Sequence, residues 1–274
     1  ARSILERIQP GGKLIGLDAD PLELPRTEER LRTLGFGPDT FIAVRSNFAG
    51  LPKLLAQQQL SGADLILADL GVSSMQLDNP ERGFTYKASG PLDMRMNPTR
   101  GEPASQLLSR MSDDELALLL EENSDEPHAR VVARALTTSG PIGTTDALVR
   151  LVLQALTAAR VKPDDVEFSM RRVFQALRIA VNDEFSALDA LLRNLPACLK
   201  PGGRVAVLTF HSGEDRRVKK AFQSGQRAGI YSAIADEVIR ASAEEVRSNP
   251  RASSAKLRWA ERAFGGSEES LPER

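Results

Sequence analysis

The first seventy residues alternate between short apolar runs and amphipathic stretches. The apolar runs over 13–18, 40–44 and 63–70 have the length and composition of strands, and helical periodicity follows over 26–34 and 51–59. The runs do not alternate with polar residues, which is typical of strands in a parallel sheet that is covered on both faces. The pattern predicts a doubly wound α/β fold.

After Pro91 the pattern changes to helices alone. Helical periodicity covers 113–122, 129–136 and 145–159 without a strand candidate between them. Ser112 and Glu115 have the spacing of a capping box, and Thr144 or Thr145 can cap the third helix. We interpret residues 104–166 as an inserted, smaller all-α domain.

Sheet patterns return near the end of the chain. A helix over 183–195 is followed by a turn over 198–203 and a strand over 204–210. The predicted organisation is therefore a discontinuous core of residues 1–103 and 167–264. The polar residues 265–274 are predicted to be a disordered tail.

Composition excludes several classes of protein. Hydrophobic residues make up 41% and charged residues 27% of the 274 residues, as in ordinary globular proteins. No apolar run reaches the roughly 18 residues of a membrane span, so no membrane association is expected. The single cysteine, Cys198, excludes a disulfide framework, and with only two histidines no metal site is predicted.

Charge is uneven although the net charge is only −1. Residues 101–167 carry 6 basic and 12 acidic side chains, whereas 168–262 carry 17 basic and 10 acidic ones. The basic region could be a nucleic-acid footprint. Arginine as an ordinary helix-compatible surface residue explains the composition equally well.

Two of the predicted strands end in a carboxylate. Ligands of doubly wound sheets bind beyond the carboxyl ends of the strands, where Asp18 could accept hydrogen bonds from both hydroxyls of a ribose. Asp69 precedes a loop of small residues, Gly71 to Ser74, that lets a ligand approach, and it could bind a cofactor amine or a substrate amino group. A helix cap or turn is the alternative for Asp18, and a loop cap is the alternative for Asp69.

His211 follows the strand over 204–210 and is expected on the same rim, where it could orient a substrate or accept a proton. Arg171, Arg178 and Asn182 share one predicted helix face. This face could form a basic rim together with Arg216, Arg217, Lys219 and Lys220. Solvated helix faces with local acidic partners are the alternative.

The segment 83–96 has neither helix nor strand periodicity but carries Phe84, Tyr86, Met94 and Met96. Long apolar loops in compact domains often form lids or binding loops. Packing beneath the inserted domain is the alternative. If the loop binds a nucleic acid, Phe84 and Tyr86 could stack on an extruded base.

Several motifs, taken in order, resemble one family over about residues 1–262. They are 67–78 (LADLGVSSMQLD), 81–84 (ERGF), 90–96 (GPLDMRM), 174–179 (FQALRI), 199–204 (LKPGGR), 210–212 (FHS), 249–251 (NPR) and 254–258 (SAKLR). The chain resembles the ribosomal RNA small-subunit methyltransferase H family, enzymes that use S-adenosylmethionine to methylate N4 of a decoding-site cytidine.

The resemblance implies a Rossmann-like methyltransferase sheet and roles for particular residues. Asp18 corresponds to the acid that binds the cofactor ribose, and Phe48 to the residue that packs beside the adenine. Asp69 corresponds to an acid near the methionine end of the cofactor, and Gln76 to a further polar contact. From the chemistry of the amine we assign Asp69 as the catalytic acceptor, with His211 second as orienter or proton acceptor.

The family also implies a setting for the protein. Its partner would be small-subunit ribosomal RNA or the small ribosomal subunit, and the inserted helices would help to hold that RNA. The expected location is the cytoplasm, and an organellar version of the enzyme would carry its transit peptide upstream. A homodimer is one assembly that the sequence permits.

Two departures from the family pattern are visible. The family's glycine-rich cofactor loop ends just ahead of Ala1, so we expect a first strand and that loop upstream of the sequence given. The family also has a His-Pro-Ala-Thr-like run where this chain has residues 167–171 (EFSMR), a difference expected to alter contacts with RNA.

Overall fold

The computed structural model describes residues 1–264. Its helices are α1 Arg2–Arg7, α2 Glu23–Thr33, α3 Leu51–Gln57, α4 Ser74–Asp78, α5 Ala104–Arg110, α6 Asp113–Ser124, α7 Ala129–Thr138, α8 Thr145–Ala158, α9 Pro163–Asn182, α10 Glu184–Cys198, α11 Ser212–Arg227 and α12 Ala243–Ser248. Its strands are β1 Leu14–Asp18, β2 Phe41–Arg45, β3 Ala63–Asp69, β4 Leu199–Thr209, β5 Tyr231–Ile234, β6 Ile239–Arg240 and β7 Lys256–Arg262. The predicted α/β class is confirmed. The predicted tail, 265–274, lies outside the described residues.

The chain divides into two compact units, each of which is discontinuous in sequence. The first unit contains Ala1–Phe48 and Val72–Glu184, and the second contains Ala49–Gly71 and, of the described residues, 185–264. The predicted inserted residues, 104–166, lie within the first unit. Their boundaries as a separate domain stay a prediction.

The first unit contains a two-stranded parallel sheet. β1 pairs with β2 from Leu14 opposite Phe41 to Asp18 opposite Arg45. Leu5 of α1 and Leu31 of α2 are buried with Phe41 in one cluster. Apolar residues at helical spacing thus attach both helices to this sheet, whose strands end at the same edge.

Helices form the rest of the first unit. Ser112 and Glu115 make the predicted capping box at the start of α6, and Thr144 caps α8. The helical core is fully or almost fully buried and includes Leu116, Leu120, Val132, Leu148, Val152, Leu156, Val173 and Leu177. Within 104–166 the chain forms α5 to α8 and the start of α9, which begins at Pro163 and continues to Asn182.

The second unit contains a mixed sheet in the order β3-β4-β7-β5, with β6 also paired to β7. β3 and β4 are parallel, whereas β7 runs antiparallel to β4 and β5. Three strands, β5, β6 and β7, were not predicted from the sequence. β5 and β6 are only four and two residues long, and charged residues interrupt the apolar positions of β7. β4 already begins at Leu199, within the turn predicted over 198–203. The chain does leave the ladder there: Leu199 pairs with Ala63 and Arg204 with Leu65, and Gly202 lies between them at a φ of 74°.

α11 packs on this mixed sheet. Val218 is fully buried, and Phe222 meets the ring of Tyr231 edge-on at 5.6 Å between ring centroids. A Cβ at Gly225 would lie 2.5 Å from the Tyr231 ring, so the helix approaches the sheet too closely there for any side chain. The helices of residues 1–264 do not include one with the length and apolarity of a membrane span.

Candidate functional site

Asp18 and Phe48 follow the carboxyl ends of the adjacent parallel strands β1 and β2. Asp18 ends β1 opposite Arg45, and its carbonyl oxygen accepts a hydrogen bond from Ser46 N at 3.0 Å. Phe48, half-buried, begins a short 3-10 turn after β2. The parallel pairing therefore places both predicted cofactor residues at one edge of the sheet, as the sequence analysis expected.

The Asp18 carboxylate keeps an oxygen for a ligand. Asp20 N donates a hydrogen bond of 2.8 Å to Oδ1, and within residues 1–264 Oδ2 accepts none. Loss of hydration raises the pKa of Asp18, and the charges of Asp20 and Glu23 add to this rise against the hydrogen bond from Asp20 N. The turn predicted as the alternative is present, and it leaves half of the carboxylate open.

Asp20 is a fully buried carboxylate with four hydrogen bonds. Oδ1 accepts from Leu22 N at 2.8 Å and Glu23 N at 3.4 Å. Oδ2 accepts from Gln76 Nε2 at 2.7 Å and from Arg82 Nη1 at 2.8 Å. Burial opposes ionisation, but the hydrogen bonds from Arg82, Leu22 and Gln76 outweigh it and lower the pKa of Asp20. The group is thus an ionised structural centre of the first unit.

Arg82 and Gln76 connect this centre to two other loops. Arg82, 7% exposed, donates from Nη2 to the carbonyl oxygens of Arg95 at 3.0 Å and Met96 at 2.9 Å. Gln76 Oε1 accepts from Ser73 N at 2.8 Å as part of the capping box of α4. Both polar groups of the Gln76 amide are thus engaged within the protein, and its direct contact with a cofactor stays a prediction.

The loop over 83–96 packs into the helical core of the first unit. Phe84 is 6% exposed and Met94 is fully buried, and both belong to the same core cluster as α6 to α9. Asn182 Nδ2 donates to the carbonyl oxygen of Met94 at 2.8 Å, and its Oδ1 accepts from Met96 N at 2.7 Å. The lid interpretation is therefore wrong for Phe84, which cannot stack on a base while its ring is buried.

The predicted basic face of α9 is largely engaged by local partners. Arg178 forms two hydrogen bonds with the Glu184 carboxylate, at 2.8 and 3.0 Å. Arg171 pairs with Glu167 and donates to Tyr86 Oη at 3.1 Å. The alternative of local acidic partners is correct for these two arginines.

In the second unit Asp69 ends β3 beside the parallel strand β4. Asp69 is in register with Leu208, and Leu70 N donates to the Leu208 carbonyl oxygen at 3.0 Å. The Asp69 side chain is exposed, and within residues 1–264 its carboxylate makes no hydrogen bond. Loss of hydration raises the pKa of Asp69, and the nearby charge of Glu214 raises it further. This carboxylate is consequently available to a ligand.

His211 lies two residues beyond β4 and caps α11. Nδ1 accepts a hydrogen bond from Glu214 N at 3.4 Å. Nε2 is buried and lies 3.2 Å from Glu214 Oε1, within ion-pair distance but outside hydrogen-bond geometry. A neutral imidazole that accepts at Nδ1 carries its proton on Nε2, which then faces the Glu214 carboxylate. Asp69 and His211 thus follow adjacent parallel strands, as predicted.

Three residues of these sites were not predicted from the sequence: Asp20, Arg82 and Glu214. The only local signal for Asp20 was its position two residues after Asp18, ahead of a helix. Arg82 was recognised as part of a motif but was given no role. Glu214 looked like an ordinary acidic residue of a helix first turn, whereas its side chain is 4% exposed and Oε2 accepts from Phe210 N at 2.8 Å.

Comparison with known proteins gives relatives along nearly the whole chain. A protein of Agathobacter rectalis named ribosomal RNA small subunit methyltransferase H 1 is 47% identical over 268 residues, covering 96% of this chain and 76% of the relative. Ribosomal RNA small subunit methyltransferase H of Halorhodospira halophila is 44% identical over 281 residues, covering 96% and 84%. The protein of that name from Acidobacterium capsulatum is 40% identical over 267 residues, covering 95% and 87%.

The family that matches extends over both units. The MraW methylase family matches residues 1–263, which include Asp18, Asp69 and His211. With relatives of 40–47% identity over almost all of the chain, the resemblance stated from the motifs is confirmed. The chain belongs to the MraW methylase family.

Proposed function

We propose that this protein transfers a methyl group from S-adenosylmethionine to the N4 amine of a cytidine in small-subunit ribosomal RNA. The observation that carries the proposal is Asp69, an exposed carboxylate without a hydrogen bond at the end of β3, next to the strand that leads to His211. Membership of a methylase family, and relatives named as small-subunit ribosomal RNA methyltransferases, support the reaction and the substrate.

The residues after β1 and β2 fit S-adenosylmethionine. The open oxygen of Asp18 can accept hydrogen bonds from ribose hydroxyls, and Phe48 offers an aromatic ring for the adenine at the same sheet edge. Bound S-adenosylmethionine supplies a methyl group that its sulfonium already activates toward a nucleophile. We assign Asp18 and Phe48 to its nucleoside, and Asp69 to its reacting end.

Asp20, Gln76 and Arg82 support that assignment by holding Asp18 in place. Asp20 N binds the Asp18 carboxylate, and the Asp20 side chain is fixed by Gln76 and Arg82. A positioned acceptor loses less conformational freedom when a ligand binds. We therefore assign Asp20 and Arg82 as positioning residues for the ribose contact.

Asp69 performs the chemistry at the amine. The N4 lone pair is delocalised into the cytosine ring, so the amine is a weak nucleophile. A carboxylate that accepts an N4 hydrogen favours a pyramidal nitrogen and stabilises the positive charge that develops there. As N4 gains the methyl group it loses this proton to Asp69, whose raised pKa favours the transfer.

His211 is assigned as an orienter. Its Nδ1 is occupied by Glu214 N, and the proton on its Nε2 faces the Glu214 carboxylate, so neither nitrogen is free to accept a proton from the substrate. The ring fixes the segment between β4 and α11. Proton acceptance thus falls to Asp69.

The methyl-transfer assay uses purified protein, S-adenosylmethionine with a labelled methyl group, and 30S subunits from a strain that lacks the endogenous N4-cytidine activity. Mass spectrometry of nuclease digests should find N4-methylcytidine at a single position. A labelled product at another base, or on DNA alone, would assign a different amine methyltransferase. Calorimetry without detectable binding of S-adenosylmethionine would favour an RNA-binding assembly protein.

The remaining expectations follow from that substrate. With small-subunit ribosomal RNA as partner we propose the cytoplasm as the location, without a membrane; an organellar version would carry a transit peptide. A homodimer stays a prediction, which sedimentation equilibrium of the purified protein tests.

A further inference from the structure

The outer face of α11 is polar and cationic. Its inner face is buried through Val218, Phe222 and Gly225. The exposed residues of the helix are Ser212, Arg216, Lys219, Lys220, Gln223, Ser224, Gln226 and Arg227. The helix therefore presents a surface with positive charges and amide donors and without an exposed carboxylate.

Three cations of this surface have no acidic partner within the described residues. Lys219, Lys220 and Arg227 form no ion pair with any carboxylate in residues 1–264. The two acids of the helix point elsewhere, since Glu214 is buried and Asp215 binds Arg258 at 2.7 Å. Acidic side chains three or four residues away on the same face would pair with these cations, and none of the exposed residues of α11 is acidic.

The cationic residues of α11 form a row along the helix that begins near the end of β4. α11 starts at Ser212, directly after His211, and its 16 residues extend for about 24 Å. Lys220 and Arg227, seven residues apart, lie on one stripe. Lys219 lies beside it with Gln223 and borders a cleft that also includes Ile234 and Asp236. An extended polyanion can follow such a row from the residues after β4.

The chemistry of the surface favours RNA over a membrane. A helix that lies on a lipid surface has large apolar side chains on its outward face, whereas α11 exposes Gln223, Ser224 and Gln226 between its cations. Lysine, arginine and amide side chains are the ordinary partners of phosphate oxygens. We propose that the outer face of α11 docks the sugar-phosphate backbone of the substrate RNA, an inference that rests on the proposed function.

The test compares two double charge reversals in the same unit. K219E/K220E changes the α11 face, and K53E/R193E makes the same charge change at exposed cations of α3 and α10 that also lack ion pairs with residues 1–264. Filter binding of a 16S ribosomal RNA fragment is measured from 50 to 200 mM KCl for both doubles and for wild type. Thermal melts and calorimetry with S-adenosylmethionine establish that each variant is folded and binds the cofactor.

For K219E/K220E we expect RNA affinity at least tenfold below wild type, and a salt slope smaller by about 1.4 for two lost phosphate contacts. The KM for 30S subunits should rise similarly, with kcat at saturating subunits within about twofold of wild type. K53E/R193E should change RNA affinity less than twofold. Equal losses in both doubles would overturn the proposal. Unchanged RNA affinity of K219E/K220E would also overturn it. Loss of binding to vesicles of phosphatidylserine and phosphatidylcholine in that case would assign the face to a membrane instead.

These outcomes separate the inference from the proposed function. If wild-type protein binds RNA through α11 but does not methylate cytidine, the docking surface stands and the proposed reaction fails. If wild type methylates cytidine and K219E/K220E matches it in KM, the reaction stands and the docking surface is rejected.

Discussion

Asp20 in the first unit and Asp69 in the second are both aspartates that follow parallel strands, yet the protein treats them in opposite ways. Asp20 is fully buried and accepts four hydrogen bonds, which lower its pKa. Asp69 is exposed and without a hydrogen bond in residues 1–264, and loss of hydration together with Glu214 raises its pKa. The first carboxylate is part of the structure, and the second is free for chemistry.

The difference shows that position after a strand is not enough to assign a role. A carboxylate whose lone pairs are filled by Arg82 and Gln76 has no capacity left for a ligand. A carboxylate left partly desolvated and unpaired gains most when a donor arrives. Substitutions should therefore reduce stability at the first position and turnover at the second.

The largest effect is expected from breaking the buried ion pair. Arg82→Met leaves Asp20 charged, buried and short of a partner, and should lower the free energy of unfolding by about 3–5 kcal/mol in urea titrations. Arg26→Met is the matched control, since Arg26 pairs with Glu23 at 3.0 Å but is itself 72% exposed, and it should cost under about 1 kcal/mol. Equal losses of unfolding free energy in the two variants would contradict the structural role assigned to Asp20.

Asp69→Asn should reduce turnover at least tenfold, about 1.4 kcal/mol in the barrier, because an amide is a poor proton acceptor. Its free energy of unfolding should stay within about 0.5 kcal/mol of wild type. Asp64→Asn in the same strand is the control; Asp64 pairs with Lys200 at the surface, and turnover should be unchanged. Methyl transfer to 30S subunits is the measurement, and wild-type turnover of Asp69→Asn at saturating S-adenosylmethionine would reject its role.

The pH dependence of stability sharpens the comparison. Because the folded pKa of Asp20 is lowered, its ionisation stabilises the fold above the unfolded pKa of about 3.9. That contribution is lost as pH falls through the folded value. Urea unfolding of wild type and Asp20→Asn should therefore differ more at pH 7 than at pH 3. A difference that is constant over this interval would mean that folding does not lower the pKa of Asp20.

The smallest effect is expected at the cap that positions Gln76. Ser73→Ala should cost about 1 kcal/mol, as should Ser112→Ala in the capping box of α6. Only Ser73→Ala should also weaken S-adenosylmethionine binding, by a few fold in calorimetry, because α4 carries Gln76 to Asp20. Identical cofactor affinities in the two variants would limit the Ser73 cap to a local role.

Local sequence patterns were sufficient to predict the elements that are defined by short apolar runs or by a capping motif. The apolar runs predicted β1, β2 and β3 to within two residues, and Ser112 with Glu115 predicted the start of α6. They were insufficient for β7, where burial of alternate residues depends on β4 and β5 on either side. The glycines near Gly202 correctly marked a break in the pairing with β3, but local patterns did not show that β4 continues on both sides of it, from Leu199 to Thr209.

By itself the sequence determined the α/β class, the family and the two strand-ending acids Asp18 and Asp69, because strand length, apolarity and motifs are properties of contiguous residues. Only the tertiary structure decided that the Asp20 carboxylate accepts a hydrogen bond from Arg82, 62 residues away in sequence. It also decided that Phe84 lies in the helical core and that His211 faces Glu214. The physical reason is that burial and hydrogen-bond saturation are set by partners that folding brings together from distant parts of the chain.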